Sequence, residues 1–347
     1  MMHTLFERLP LGAVRPAGWL RDQLLGDLEH GFTSRLDALT EHAARDLFTH
    51  RIESSEEQFA WWDAETRGNW LWGYTLMAFT ADHAEHKARV ERLLRDLLAT
   101  QDADGYIGIY SQQARYQHGH SENGELWAQS RALLPLLTFY EFTGDVGVLC
   151  AVERAVKLTM AQYGADRSYF RTPSSPLTHI IGVTHGLCYV DVLAWLYALT
   201  GETAYRDFGV WLYDDFCALP VPFANDDVST RSLFDVHRPF SGHAVHTAEH
   251  LRVLMWAAAV TGRADLRQAL EAARVKFNRF TLPSGALIGD EGLHGMPSAE
   301  IGYEFCTTTE YLTSLTSGLE YFGTDADHAE RLLFNAGQGA RLPDGSG

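Results

Sequence analysis

The chain has 347 residues, 46% hydrophobic and 21% charged, enough for one large globular domain or two small ones. Its 45 acidic residues outweigh 28 basic ones, and the net charge of −17 argues against nucleic acid or an anionic membrane as partner. Cys150, Cys188, Cys217 and Cys306 lack zinc-finger or paired spacing, residues 1–12 lack a signal-peptide core, and no apolar run reads as long enough to span a membrane, so a cytoplasmic protein without disulfides is expected.

In chain order, an extended entry around Pro10–Pro16 gives way to helical spacing from Trp19 to Leu28. Residues 35–56 are polar. Trp61 to Trp70 is dense in aromatics and charges and reads as a loop before a helix over Asn69–Thr80, followed by a helix over Ala84–Ala99. Asp102-Ala103-Asp104-Gly105-Tyr106 is a turn. A His-rich loop, Tyr116 to Asn123, leads into a helix from Glu125 to Phe142 that stops at Thr143-Gly144.

That ending recurs at Thr200-Gly201, at Thr261-Gly262 and, in varied form, at Gly323-Thr324. Successive threonines lie 57, 61 and 63 residues apart. Glycine is the expected residue just past a helix end. A period of about 60 residues, each holding two helices and their loops, predicts stacked helical hairpins. With two fainter units before Asp102, the count is about six, which closes as an all-α (α/α)6 toroid. The segments after each glycine, Val146–Tyr163, Ala204–Cys217, Ala264–Phe280 and Asp327–Asn335, read as amphipathic helices. Leu282–Ile288 could hold a short hairpin. No linker divides residues 1–347, so one domain is expected. The chain reads as cut before a further domain, because the Gly-rich stretch 335–347 brings no closing helix.

In such a toroid, the loops before inner helices feed one cleft. They collect Trp61, Trp62, Asp63, Glu65 and Asn69, then His118, His120, Glu122 and Glu125, then His179, His185, His237, His243, His246 and His250. Rings that stack on sugar faces, beside polar groups that bind hydroxyls, suit a carbohydrate. Core packing explains any single tryptophan equally well. Glu304 and Cys306 precede Thr307-x-x-Glu310, a capping-box pattern that starts a helix near Thr308. Both would then project from one side of an extended segment, ahead of a helix terminus that favours thiolate. A carboxylate beside such a thiol suits a metal or a nucleophile; the bland alternative is a packed small hydrophobe. Glu291, in Asp290-Glu291-Gly292, is a candidate general acid or an exposed turn residue.

The Glu291-Gly292 pair followed by Tyr303-Glu304-x-Cys306 resembles glycoside hydrolase family 127 and its relative family 146, the β-L-arabinofuranosidases. Supporting matches are Val14-x-Pro16-x-Gly18-Trp19, Gln101-x-x-Asp104-Gly105-Tyr106, Glu125-Leu126-Trp127, Gly242-His243-Ala244-Val245 and Arg331 to Asn335. The resemblance implies a retaining glycosidase of furanoside-type oligosaccharides, with Glu291 as acid/base. Cys306 belongs to its thiolate chemistry, and Glu304 and Cys306 are zinc ligands. Asp104, His185, His243 and Trp62 are expected at the sugar. Two departures stand out. The family's nucleophile lies in an adjacent Cys pair further downstream than Gly347, ahead of a β-sandwich domain. And the family's Gly-His is replaced by Ser130-Arg131. With two of four ligands, this chain is expected to bind zinc weakly and to lack the retaining activity by itself.

Two other readings stand beside it. One is a sugar epimerase, isomerase or lyase with His243, His185 or His246 as proton carriers, an analogy of fold. The other is a non-catalytic oligosaccharide-binding protein. Oligomeric state is open, with a homodimer as candidate.

Overall fold

A computed structural model describes residues 4–54, 61–117, 123–171, 181–219, 225–289, 302 and 304–341. Regular structure among them is helical, with only isolated bridges, such as Ile52 to Tyr110 and Thr281 to Leu287. The described chain forms two compact units, one over Leu9–Ser174 and one over Ser175–Arg341 together with the N-terminal octet.

The first unit begins with α1 (Trp19–Glu29) and the short turns α2 (Leu36–Leu39) and α3 (Glu41–Ala44). The hairpins α4 (Trp61–Thr80) with α5 (Ala84–Ala99) and α6 (Glu125–Thr143) with α7 (Val146–Met160) follow. The second unit holds α8 (Ile181–His185), a 3-10 turn at Gly186–Cys188, and the hairpin α9 (Tyr189–Thr200) with α10 (Thr203–Cys217). After α11 (Thr230–Phe234) come α12 (Ala244–Thr261) with α13 (Ala264–Asn278), and α14 (Phe305–Phe322) with α15 (Ala326–Arg331). A π-helical stretch, Leu332–Gly337, ends it.

The helix stops fall where the Thr-Gly pairs place them. Gly144, Gly201, Gly262 and Gly323 cap α6, α9, α12 and α14 with φ of 70, 71, 65 and 68°. These are left-handed values that only glycine adopts without a Cβ penalty. The threonine hydroxyls of three of these ends bond back one turn, Thr143 to Phe139, Thr200 to Leu196 and Thr261 to Ala257.

Within each unit the layers differ in character. From Glu125 to Phe139 every residue of α6 is buried, and Ala244–Ala258 of α12 is nearly so. A helix buried on all sides is an inner element. By contrast α5, α7 and α13 bury one stripe each, such as Val90, Leu94 and Leu97 on α5.

Two expectations need correction. The stretch Gly182–Thr200 is long and apolar enough to cross a membrane, contrary to the sequence reading, but 72% of it is buried inside the fold as a core segment. The aromatic stretch from Trp61 is not a loop: α4 already includes it, and Gly68 does not break the helix. Gly68 is instead where α4 meets α6, since a Cβ there would lie 2.5 Å from Arg131 Cβ and 2.6 Å from its carbonyl oxygen. The short hairpin expected at 282–288 is present in minimal form, as one antiparallel bridge between Thr281 and Leu287, with Leu282 N–H donating to Ala286 at 2.8 Å and Ile288 N–H to Phe280 at 2.7 Å.

Candidate functional site

The Glu304–Cys306 pair sits at the start of α14, three residues earlier than the capping-box pattern predicts. Glu304 is the N-cap, with extended backbone, and Cys306 lies in the first turn. The Thr307-x-x-Glu310 pattern fails for two physical reasons. Thr307 is fully buried, with no hydrogen-bond partner for its hydroxyl among the described residues. Glu310 is committed elsewhere, accepting from Arg252 Nη1 at 2.6 Å. The two side chains nevertheless meet: Cys306 Sγ donates to Glu304 Oε1 at 2.6 Å. Glu304 Oε2 is buried without a hydrogen-bond partner among the described residues. The backbone ties the neighbouring loop to this pair. Gly289 N–H donates to Gly302 at 2.9 Å and Glu304 N–H to Gly289 at 3.0 Å. Glu291, His294 and Tyr303 lie outside the described residues, as do His118, His120, Glu122 and His179.

In the same unit, α12 carries a histidine column. His243 is its N-cap residue, edge-on to His246 with ring centroids 5.1 Å apart. His246 stacks on His185 at 3.6 Å and lies 5.8 Å from His250. Burial, reinforced by His246, holds the His185 imidazole well below its ordinary pKa, and burial brings His250 down to about 3. Both rings are therefore neutral at pH 7. Beneath them lie charges that periodicity arguments missed. Glu249 faces His246 Nδ1 at 3.2 Å and accepts from Arg252 Nη2 at 3.3 Å. Arg252 also bonds Asp191 at 2.7 Å. The available signal was His246-x-x-Glu249-x-x-Arg252, an i, i+3 ladder of charge in an otherwise apolar helix.

The N-terminus of α12 is held by Asn225 and Asp227, also unanticipated. His243 N–H donates to Asn225 Oδ1 at 2.8 Å, while Gly242 N–H and Thr247 Oγ1 donate to Asp227 Oδ2 at 2.7 and 3.0 Å. Burial raises the Asp227 carboxyl, and these donors pull it back.

In the first unit, Trp62 is 47% exposed and stands edge-on to the buried Trp61 at 5.9 Å. Asp104 lines an open polar groove of about 1070 Å³ with Asp46, Arg51, Asp102 and Arg115, and is ion-paired to Arg115. Glu125 does not reach solvent: it accepts from Tyr106 Oη at 2.5 Å, Tyr116 N–H at 2.9 Å and Gln129 Nε2 at 2.9 Å. Ser130-Arg131, the departure noted above, is buried too. Arg131 stacks over Trp127 at 3.9 Å and donates to Asn69 Oδ1 at 3.1 Å.

Zinc, implied by resemblance, can be tested against the donors present. A carboxylate and a thiol in contact, with a second buried carboxylate oxygen that has no hydrogen-bond partner among the described residues, fit two positions of a tetrahedral site. Cys150, Cys188 and Cys217 form no disulfide among the described residues, and Cys188 belongs to a separate buried group with Glu249 and His250.

Three solved structures similar to this chain bear the names of carbohydrate enzymes. The chain is similar to a GH127 β-arabinofuranosidase, with TM-score 0.71 and 16% identity over 97% of this chain and 55% of that one. It is similar to a GH127 β-L-arabinofuranosidase from Geobacillus stearothermophilus T6, with TM-score 0.72 and 17% identity over 95% and 56%. A sugar epimerase from a ruminal bacterium is more distant, at TM-score 0.52 and 12% identity over 94% and 89%. These likenesses define the class as the all-α helical-hairpin toroid, (α/α)6. No curated protein matches the sequence. The β-L-arabinofuranosidase GH127 catalytic-domain model matches residues 27–272, and the chain belongs to that family. It spans a little over half the length of the two arabinofuranosidases.

Proposed function

We propose that this chain is the helical part of a glycoside hydrolase that cleaves β-L-arabinofuranosyl-type glycans with retention. The observation that carries the reading is the 2.6 Å contact between Glu304 Oε1 and Cys306 Sγ at the head of α14, in a chain of the GH127 family. Glu304 and Cys306 would hold zinc, which when bound supplies charge that keeps a thiol deprotonated at neutral pH. Glu304, as N-cap, fixes Cys306 relative to the helix, so the thiol is presented from a rigid element. Glu291 would protonate the leaving oxygen and then activate water. Gly289, two positions before it, is bonded to Glu304, which supports a common location. His243 would bind sugar hydroxyls; its backbone is pinned by Asn225. Neutral His185 would serve as a hydrogen-bonding group rather than a charge. Trp62 offers an exposed ring face for a sugar, and Asp104 a carboxylate for hydroxyls.

The test is hydrolysis of an aryl β-L-arabinofuranoside by the full-length protein, followed by product stereochemistry. Retention, with at least a 100-fold loss in both Glu291→Gln and Cys306→Ser, is expected. Epimer interconversion without reducing-sugar release would overturn the reading in favour of the epimerase alternative.

A further inference from the structure

We propose a second metal site, buried in the core of the C-terminal unit and built from Cys188, Glu249 and His250, that takes a zinc-class divalent ion. Thiol, carboxylate and imidazole come from two elements: Cys188 closes the 3-10 turn before α9, and the other two lie on α12. Their donor atoms all lie within 4.8 Å of one another. That is close enough for one ion to gather them with side-chain adjustment, since zinc bonds of about 2.0–2.3 Å place neighbouring ligands some 3–4 Å apart.

The independent observation is His250. Its ring is fully buried, and neither Nδ1 nor Nε2 has a hydrogen-bond partner among the described residues. Phe216 and His246 pack against it as rings, which satisfies no nitrogen lone pair. A buried polar group left unpaired costs about 1–3 kcal/mol, and ligation by one nitrogen would remove that cost. Burial keeps the imidazole neutral, the form that ligates.

Charge agrees with this. Asp191, Glu249 and Glu310 all pair with the guanidinium of Arg252. A buried divalent cation beside Glu249 would offset the excess of carboxylates. The Glu249 contacts to His246 and Arg252, at 3.2 and 3.3 Å, are the outer hydrogen bonds a ligating carboxylate ordinarily has. Thiolate with imidazole selects zinc, or cobalt in its place, over calcium or magnesium. On binding, Cys188 would release its proton to solvent and the ion would exchange a water ligand for sulfur. Nothing is oxidised or reduced. The ion would clamp the 3-10 turn to α12 beneath the histidine column.

The test uses the full chain with Cys150→Ser, Cys217→Ser and Cys306→Ser, which removes the other three thiols of residues 1–347. The probe is cobalt(II) followed by elemental analysis for zinc. The expected result is one equivalent of metal and a thiolate-to-cobalt charge-transfer band. Adding Cys188→Ser should abolish the band, and His250→Gln should weaken metal binding at least tenfold, while circular dichroism confirms a folded chain. No band in the folded triple variant, or a band that survives adding Cys188→Ser to it, would overturn the proposal.

Discussion

Each unit buries a carboxylate on an inner helix, Glu125 on α6 and Glu249 on α12, and the two are treated in opposite ways. Glu125 accepts from three donors, and its neighbours close the network: Tyr116 Oη meets Thr159 at 2.8 Å, and Thr159 donates to Gln129 at 2.6 Å. Glu249 sits among one guanidinium, two further carboxylates, a thiol and stacked imidazoles, and the His250 nitrogens have no hydrogen-bond partner among the described residues. A polar network saturated by its own protein specifies structure, whereas one left open points to a ligand or to chemistry. On this contrast the first centre reads as a structural network, and the second is the one proposed above to take a metal.

The largest expected effect breaks the second centre. Arg252→Met leaves Asp191, Glu249 and Glu310 without their shared cation and should destabilise by about 3–5 kcal/mol in urea titration. A loss under about 1 kcal/mol would mean that other groups carry the balance. Next comes the helix crossing in the first unit. Gly68→Ala forces α4 away from the Arg131 backbone and should cost about 1–3 kcal/mol, read by thermal unfolding. The smallest effect is Glu125→Gln. Burial raises the folded-state value of this carboxyl above 4.5, so its contribution is fully present below about pH 4.5 and is lost as pH rises through the raised value. The amide oxygen keeps Tyr106 and Gln129 while its NH2 loses the Tyr116 N–H, so the variant should cost about 1 kcal/mol at pH 5 and should flatten the decline toward neutral pH.

The fold was legible because it is written in local chemistry. Thr-Gly endings state where a helix must stop, and they recur at one hairpin's length. The start of α4 was not legible, because the glycine at 68 looks like a breaker until α6 is placed against it. The candidate site was half legible. Glu304 and Cys306 were singled out, and they meet, but through an N-cap and a first turn rather than two residues of a strand. A capping box depends on Glu310 being available, and a partner 58 residues away had claimed it. Asp227 and Arg252 owe their roles to contacts across 15 to 61 residues, which no periodicity reveals, whereas Glu249 was readable only through its i, i+3 spacing to His246 and Arg252. Glu291 lies outside the described residues, and its role rests on resemblance.

The central claim is that Glu304 and Cys306 act as one donor pair, and alkylation of Cys306 tests it most directly. Cys306 is exposed and open to reagent. Followed by peptide mass spectrometry, its modification should be slowed by saturating zinc in the native sequence, and the protection should vanish in Glu304→Gln. Alkylation at the same rate with and without zinc would contradict the pair's assignment.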